Sequence, residues 1–171
     1  MSLAANLRDA LALGHKGAPV LIEGDPLDPA ADTAQPPMPA AVLVAIVDRP
    51  EPTVILTLRP ETLSRHPGQI AFPGGRIDAH DDGPVDAALR EAEEEIGLPR
   101  ERVEIIGIAD RYRTITGFEV TPVVAVIPSG LPLTAHPMDV VRTAVSVIGA
   151  TDPSLAQPNG LTDRALNEGR A

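Results

Sequence analysis

Between Phe72 and Leu98 the chain specifies a glycine turn, a helix with marked ends, and two helix faces of opposite character. Phe72-Pro73-Gly74-Gly75 supplies the turn, because glycine reaches backbone conformations closed to other residues and lets the chain approach a ligand closely. Asp81-Asp82-Gly83-Pro84 reads as a helix start, with an Asp or Gly cap and proline at the first helical position. Gly97 stands just past the last apolar helical residue, where a C-terminal glycine cap belongs. A helix over 85–96 follows. Val85, Ala88, Leu89, Ala92 and Ile96 form its apolar stripe. Glu91, Glu94 and Glu95 line a second stripe, since residues three and four apart are neighbours on a helix surface.

Stacked carboxylates repel one another by roughly 0.2–0.5 kcal/mol per adjacent pair. Most acidic helix faces are simply solvated, and these acids alone do not decide the matter. Together with Asp86 and Glu93, they crowd a short helix that also carries a buried face and follows a glycine turn. A hard divalent cation, which prefers oxygen ligands, accounts for that combination. The pattern points to metal-assisted phosphate chemistry.

Gly75 followed by Arg90-Glu91-Ala92-Glu93-Glu94-Glu95-Ile96-Gly97-Leu98 resembles the Nudix box. The spacing from Gly75 to Arg90 is one residue longer than in the common box, and Asp81 or Asp82 replaces its spaced glutamate. That extension, with aspartates at 78 and 81, is similar to the coenzyme A diphosphatase branch of the family. Ile55-Leu56-Thr57-Leu58-Arg59-Pro60, then Gly68, then Phe72-Pro73-Gly74-Gly75, resembles the signature that precedes the box in that branch. Pro60 and Ser64 depart from it. Tyr112 to Val123 also looks like this branch, so the resemblance spans roughly residues 40–128.

The resemblance implies an α/β/α sandwich with a mixed sheet and a diphosphatase activity on nucleoside diphosphate derivatives. Coenzyme A, or its thioesters, is the expected substrate. ADP-ribose or a dinucleotide is the alternative, and a non-catalytic nucleotide-binding module is the rival from another class. The implied cofactor is Mg²⁺ or Mn²⁺, held by Glu91 and Glu95 with Glu94 in support and a backbone carbonyl of Gly74 or Gly75. Arg90 is expected to orient the carboxylates. Arg59, Arg65, Gly68, Phe72 and Arg111 are the expected substrate contacts, and His66 is read as a turn residue.

Composition narrows the class further. A chain of 171 residues is read as one domain. With one Tyr, two Phe and no Trp, its core must rest on Val, Ile, Leu and Ala. A net charge of −10 argues against non-specific nucleic-acid binding. Eight of the 24 acids fall between Asp78 and Glu95, a density that repels a diphosphate unless cations bridge the two. Without cysteine there is no disulfide framework and no thiolate chemistry. Leu3 to Leu13 is broken by Arg8 and Asp9, unlike a signal peptide, and no run reaches the roughly 20 apolar residues of a membrane span. The expectation is a soluble cytoplasmic protein with no membrane or nucleic-acid partner, and a homodimer is among the assemblies open to it.

Elsewhere the pattern predicts a short amphipathic helix over 2–13 and a mobile segment over 24–39. Strands are expected at 40–47, 53–58, 103–109 and 120–127. The C-terminal third departs from the branch. Asp139-Val140 matches an acidic-valine step, the run 143–148 lacks the usual aromatic, and 152–171 reads as a poorly structured tail. An incomplete final layer is the corresponding expectation.

Overall fold

A computed structural model describes residues 2–14, 21–23, 36–58, 70–114, 116–134 and 140–144. In chain order its elements are α1 (Leu3–Gly14), β1 (Leu21–Glu23), β2 (Met38–Asp48), β3 (Thr53–Leu58), β4 (Ile70–Ala71) and β5 (Gly74–Arg76). Then follow α2 (Pro84–Ile96), a 3₁₀ turn at Arg100–Arg102, β6 (Glu104–Ile108), β7 (Arg111–Arg113), β8 (Phe118–Pro128) and β9 (Val140–Ala144).

The spine of the sheet is the parallel pairing of β2 with β8, in unbroken register from Met38↔Phe118 to Asp48↔Pro128. Both strands are rich in Val, Ile and Ala, as expected of a strand buried on two faces. The principal strand order is β1-β7-β8-β2-β3-β4, with β5 beside β2, β6 beside β8 and β9 beside β3. Parallel and antiparallel pairs coexist, so the sheet is mixed.

Strand alternation divides the core in two. Ala41, Leu43, Ala45 and Val47 of β2 join Val123, Ala125 and Ile127 of β8 against Ala87, Ala88, Ala92 and Ile96 of α2. Ile46 and Val124 face the other way, towards Leu3, Leu7 and Leu11 of α1. Helices on both faces of one sheet make the α/β/α sandwich expected from the sequence. Three alanines on the buried face of α2 let its axis come close to the sheet, and Ile96 and Leu98 fill the far end. Burying a side chain such as Ile96 stabilises the fold by roughly 1.5–3 kcal/mol. Every buried hydrophobic residue described is Ala, Val, Ile or Leu, while Phe72 and Tyr112 are exposed.

Several expectations need correction. Strand β2 begins at Met38, not 40, because Met38 and Pro39 continue the pairing with Phe118 and Glu119; the mobile segment therefore cannot extend to 39. The Gly74-Gly75 turn is in fact the start of β5, which pairs antiparallel with β2 through Gly74↔Val42 and Gly75↔Ala41. A side chain on Gly74 would collide with the Ala41 carbonyl and come within 2.6 Å of Val42 Cα, so the pairing needs glycine there. Strand β9 forms at 140–144, ahead of the run at 143–148, and pairs with β3 along its length. Strands β1, β4 and β7 went unread. The tail 152–171 and residues 24–35 lie outside the described residues. No described helix is long and apolar enough to cross a membrane.

Candidate active site

The acidic helix has the ends its sequence foretells. Gly83 precedes Pro84 at the first turn, and Gly97 takes the left-handed conformation at φ 64°. Gly97 N–H then donates to the Glu93 carbonyl at 3.0 Å and Leu98 N–H to the Ala92 carbonyl at 3.3 Å, satisfying carbonyls that helix termini leave orphaned. These stops fix where each glutamate stands relative to the sheet edge.

Arg90 is the hub of the site. Its Nε donates to Asp81 Oδ1 at 2.9 Å and its Nη2 to Asp81 Oδ2 at 3.1 Å, the two-pronged pairing at which guanidinium excels. Nη2 also donates to the Arg76 carbonyl at 3.1 Å, and Nη1 donates to Glu91 Oε1 at 2.9 Å. Glu94 Oε2 lies 3.5 Å from the same Nη1. The Asp81 side chain has no solvent exposure, and its Oδ2 accepts a further bond from the Asp78 N–H at 2.7 Å. The Arg90 hydrogen bonds hold the Asp81 carboxyl at about pKa 2, well below its ordinary value. Arg90 is in turn held charged beyond its usual range, chiefly by Asp81.

Between the two aspartates offered by the sequence, the structure selects Asp81 as the partner of Arg90. Asp82 is exposed, and its N–H donates to Asp86. Asp86 turns away to Arg100, whose Nη1 donates to it at 2.5 Å while Arg100 Nε reaches Glu93 at 3.2 Å. Two of the five crowded acids thus belong to a separate clamp on the outer side of α2. That clamp, led by the Arg100 hydrogen bond, lowers the Asp86 pKa.

Glu91 and Glu95 stand one turn apart and both meet the glycine pair. Gly74 N–H donates to Glu95 Oε2 at 3.1 Å. A Cβ on Gly75 would run into the Glu91 carboxylate, 2.5 Å from its Cδ, so glycine is what gives that carboxylate room. Glu94 is more open, with a 61% exposed side chain. A cradle of two carboxylates against bare backbone suits a hard divalent cation: Glu91, Glu95 and a carbonyl of Gly74 or Gly75 would hold it. Asp78, His80 and Asp81 also bring donor atoms within 4.8 Å of one another. Both Asp81 oxygens already serve Arg90, so that cluster is better explained as the Arg90 clamp.

The other expected contacts are less gathered. Phe72 is 36% exposed beside buried Pro73, whose carbonyl accepts from Leu43 N–H at 2.8 Å. Arg111, on β7, is paired with Glu119 at 2.5 Å, not with the helix carboxylates. Arg59, Arg65, Gly68 and His66 lie outside the described residues. Arg76, directly after the glycine pair, was not singled out from the sequence, and its backbone carbonyl is one of the acceptors that hold Arg90.

An α/β/α sandwich whose acidic helix faces a diglycine edge strand defines the class of fold and site. A family model for the NUDIX domain matches residues 37–140, and the chain belongs to that family. Over 93 residues it is 54% identical to a protein of Cronobacter sakazakii called "Uncharacterized Nudix hydrolase NudL", covering 54% of this chain and 48% of that protein. A protein of the same name from Salmonella newport is 50% identical over 93 residues, with the same coverage of both chains. The chain thus spans about half the length of the curated relatives it matches. Among solved structures it is similar to the Nudix hydrolase RenU of M. smegmatis, at TM-score 0.55 and 26% identity over 65% of this chain and 72% of that one. The C. elegans Ap4A hydrolase shares the fold at TM-score 0.54 and 19% identity, over 62% and 79% of the two chains.

Proposed function

We propose that this chain is a metal-dependent hydrolase of nucleoside diphosphate derivatives, with coenzyme A as its substrate and Mg²⁺ or Mn²⁺ as its cofactor. The observation that carries the reading is the convergence of Glu91 and Glu95 on the Gly74-Gly75 backbone. A divalent cation bound there would neutralise the diphosphate and lower the pKa of a water molecule. Glu91 is fixed by Arg90, and Glu95 by the Gly74 N–H, so neither carboxylate has to be reorganised for the task. Arg90 has most of its donors committed to Asp81, Glu91 and the Arg76 carbonyl, which makes it a positioning residue. Glu94, close to Arg90 and open to solvent, is free to serve a second cation or a water.

Choice of coenzyme A rests on the signature running from Leu56 to Gly75 and on the lengthened loop before the helix. In the fold that extension carries Asp78 and Asp81 back onto Arg90, so the unusual spacing is part of the clamp. Mass-spectrometric analysis of products, after incubation with Mg²⁺ and a panel of nucleotides, tests the proposal. Coenzyme A should yield 3′,5′-adenosine diphosphate and 4′-phosphopantetheine, faster than ADP-ribose is cut. Preference for ADP-ribose with coenzyme A left intact would reduce the claim to the superfamily reaction.

A further inference from the structure

Arg76 sits at the junction of the carboxylate cradle and an aromatic surface. Its backbone follows Gly75, whose Cα lies against the Glu91 carboxylate, and its carbonyl accepts from Arg90 Nη2 at 3.1 Å. Pairing with Ala40 fixes the residue further. Alternation sends its side chain to the face opposite that of Gly75. Phe118, paired with Met38 two residues along β2, occupies that same face. Small Ala40 lies between them, and the Arg76 guanidinium comes to rest 5.8 Å from the centre of the Phe118 ring. That is within the range of a cation–π contact, which holds a guanidinium by its face and leaves its N–H edge open to another group.

The charge balance gives this placement meaning. Asp78, Asp81 and Glu94 stand around the Glu91 and Glu95 cradle, and Arg90 is committed to Asp78, Asp81, Glu91 and Glu94. Arg100, Arg111 and Arg113 are each bound to carboxylates as well. Among the described residues, Arg76 is the arginine beside the cradle whose guanidinium no carboxylate takes. It is also exposed, and it belongs to a strand that, among the described residues, pairs with β2. A diphosphate lying across β5 would meet Glu91 and Glu95, with their cations, on the α2 side and a guanidinium fork on the other.

We propose that Arg76 is a substrate-recognition residue that binds phosphoryl oxygens of the diphosphate, and that Phe118 positions its guanidinium. This rests on the diphosphate being the ligand of the cradle. The forked N–H donors match phosphate geometry, and the contact supplies positive charge where the net charge of the chain repels the ligand.

Calorimetric titration of the chain with ADP in the presence of Mg²⁺ tests it without requiring turnover. Arg76→Gln should weaken ADP binding at least about tenfold, as loss of a charge-assisted hydrogen-bond pair does, and Arg76→Lys should fall between that variant and the wild type. Phe118→Leu should give a smaller loss of ADP affinity. In each variant the binding of Mn²⁺ alone, followed by electron paramagnetic resonance, should remain at the wild-type level, as should the thermal midpoint. The proposal is overturned if Arg76→Gln binds ADP within twofold of the wild type, if it disturbs Mn²⁺ binding equally, or if the wild type fails to bind ADP. A wild type that binds ADP through Arg76 yet leaves every nucleotide in the panel uncut would overturn the hydrolase reading and keep this one.

Discussion

Asp81 shows how much a single carboxylate can organise. Its depressed pKa gives the sign of a pH effect: the contribution it makes to stability is complete above its unfolded pKa near 4 and is lost as pH falls through about 2. Thermal denaturation between pH 5 and pH 2 should therefore show a steeper loss for the wild type than for Asp81→Asn, and equal slopes would contradict the clamp. Glu95→Gln keeps the shape of the side chain and removes an anionic oxygen, so turnover should drop roughly 100-fold or more with the fold intact. Steady-state kinetics beside a melting curve checks both halves of that statement. Thr53 offers a contrast, because its Oγ1 is buried with no hydrogen-bond partner among the described residues. Thr53→Val removes an unsatisfied hydroxyl while conserving shape, and chemical denaturation should show it neutral or up to about 1 kcal/mol more stable. The placement of Glu91 and Glu95 on one helix stripe was legible in the sequence from their spacing. The Asp81–Arg90 pairing was not legible, since the spacing offered Asp81 or Asp82 only in place of the spaced glutamate and gave neither a partner.

At the scale of elements, β5 is the instructive failure. Three residues with two glycines carry no strand propensity, and a Gly-Gly pair reads as a turn by every local rule. Only the partner strand β2, more than thirty positions earlier at Ala40–Val42, reveals why the chain is extended there. The two glycines nevertheless serve different ends, and their alanine variants should separate. In Gly74→Ala the new methyl group meets backbone at Ala41 and Val42, which cannot move without breaking the pairing. That variant should lose about 1–3 kcal/mol of stability, the usual cost of overpacking, measured by urea denaturation. In Gly75→Ala the nearest atoms the methyl group meets are those of the Glu91 carboxylate, the far end of a flexible side chain. Activity should fall with little change in stability, since Glu91 swings out of the cradle. Helix α2 was the opposite case: a proline start, a glycine stop and a clean apolar stripe sit in the sequence itself, so Pro84–Ile96 departs from the expected 85–96 by one residue.

Across the whole molecule, the sheet is built from contacts that local pattern cannot encode. The apolar runs in β2 and β8 were visible as strands, yet nothing within either says that they lie side by side and parallel. Strands β1, β7 and β9, short and at the margins, take their extended form from neighbours already in place. Among the described residues, the two faces of the sheet are unequally packed. Among the described residues, thirteen buried side chains form the cluster on the α2 side, whereas the cluster against Leu3, Leu7 and Leu11 of α1 has three buried members, Ile46, Val54 and Val124. Leu3, Leu7 and Leu11 of α1 are only partly buried, while Ile96 of α2 is fully buried. Truncating a filled core position costs lost transfer energy plus a cavity, so Ile96→Ala should lose about 2–5 kcal/mol. Leu7→Ala leaves a site open to solvent on one side, and should lose about 1 kcal/mol, the ordinary cost of a single substitution. Urea denaturation of both variants, with slopes matching the wild type, decides the ranking. Equal losses would mean that α1 bears as much of the fold as the helix that carries the carboxylates, against the asymmetry of the two clusters.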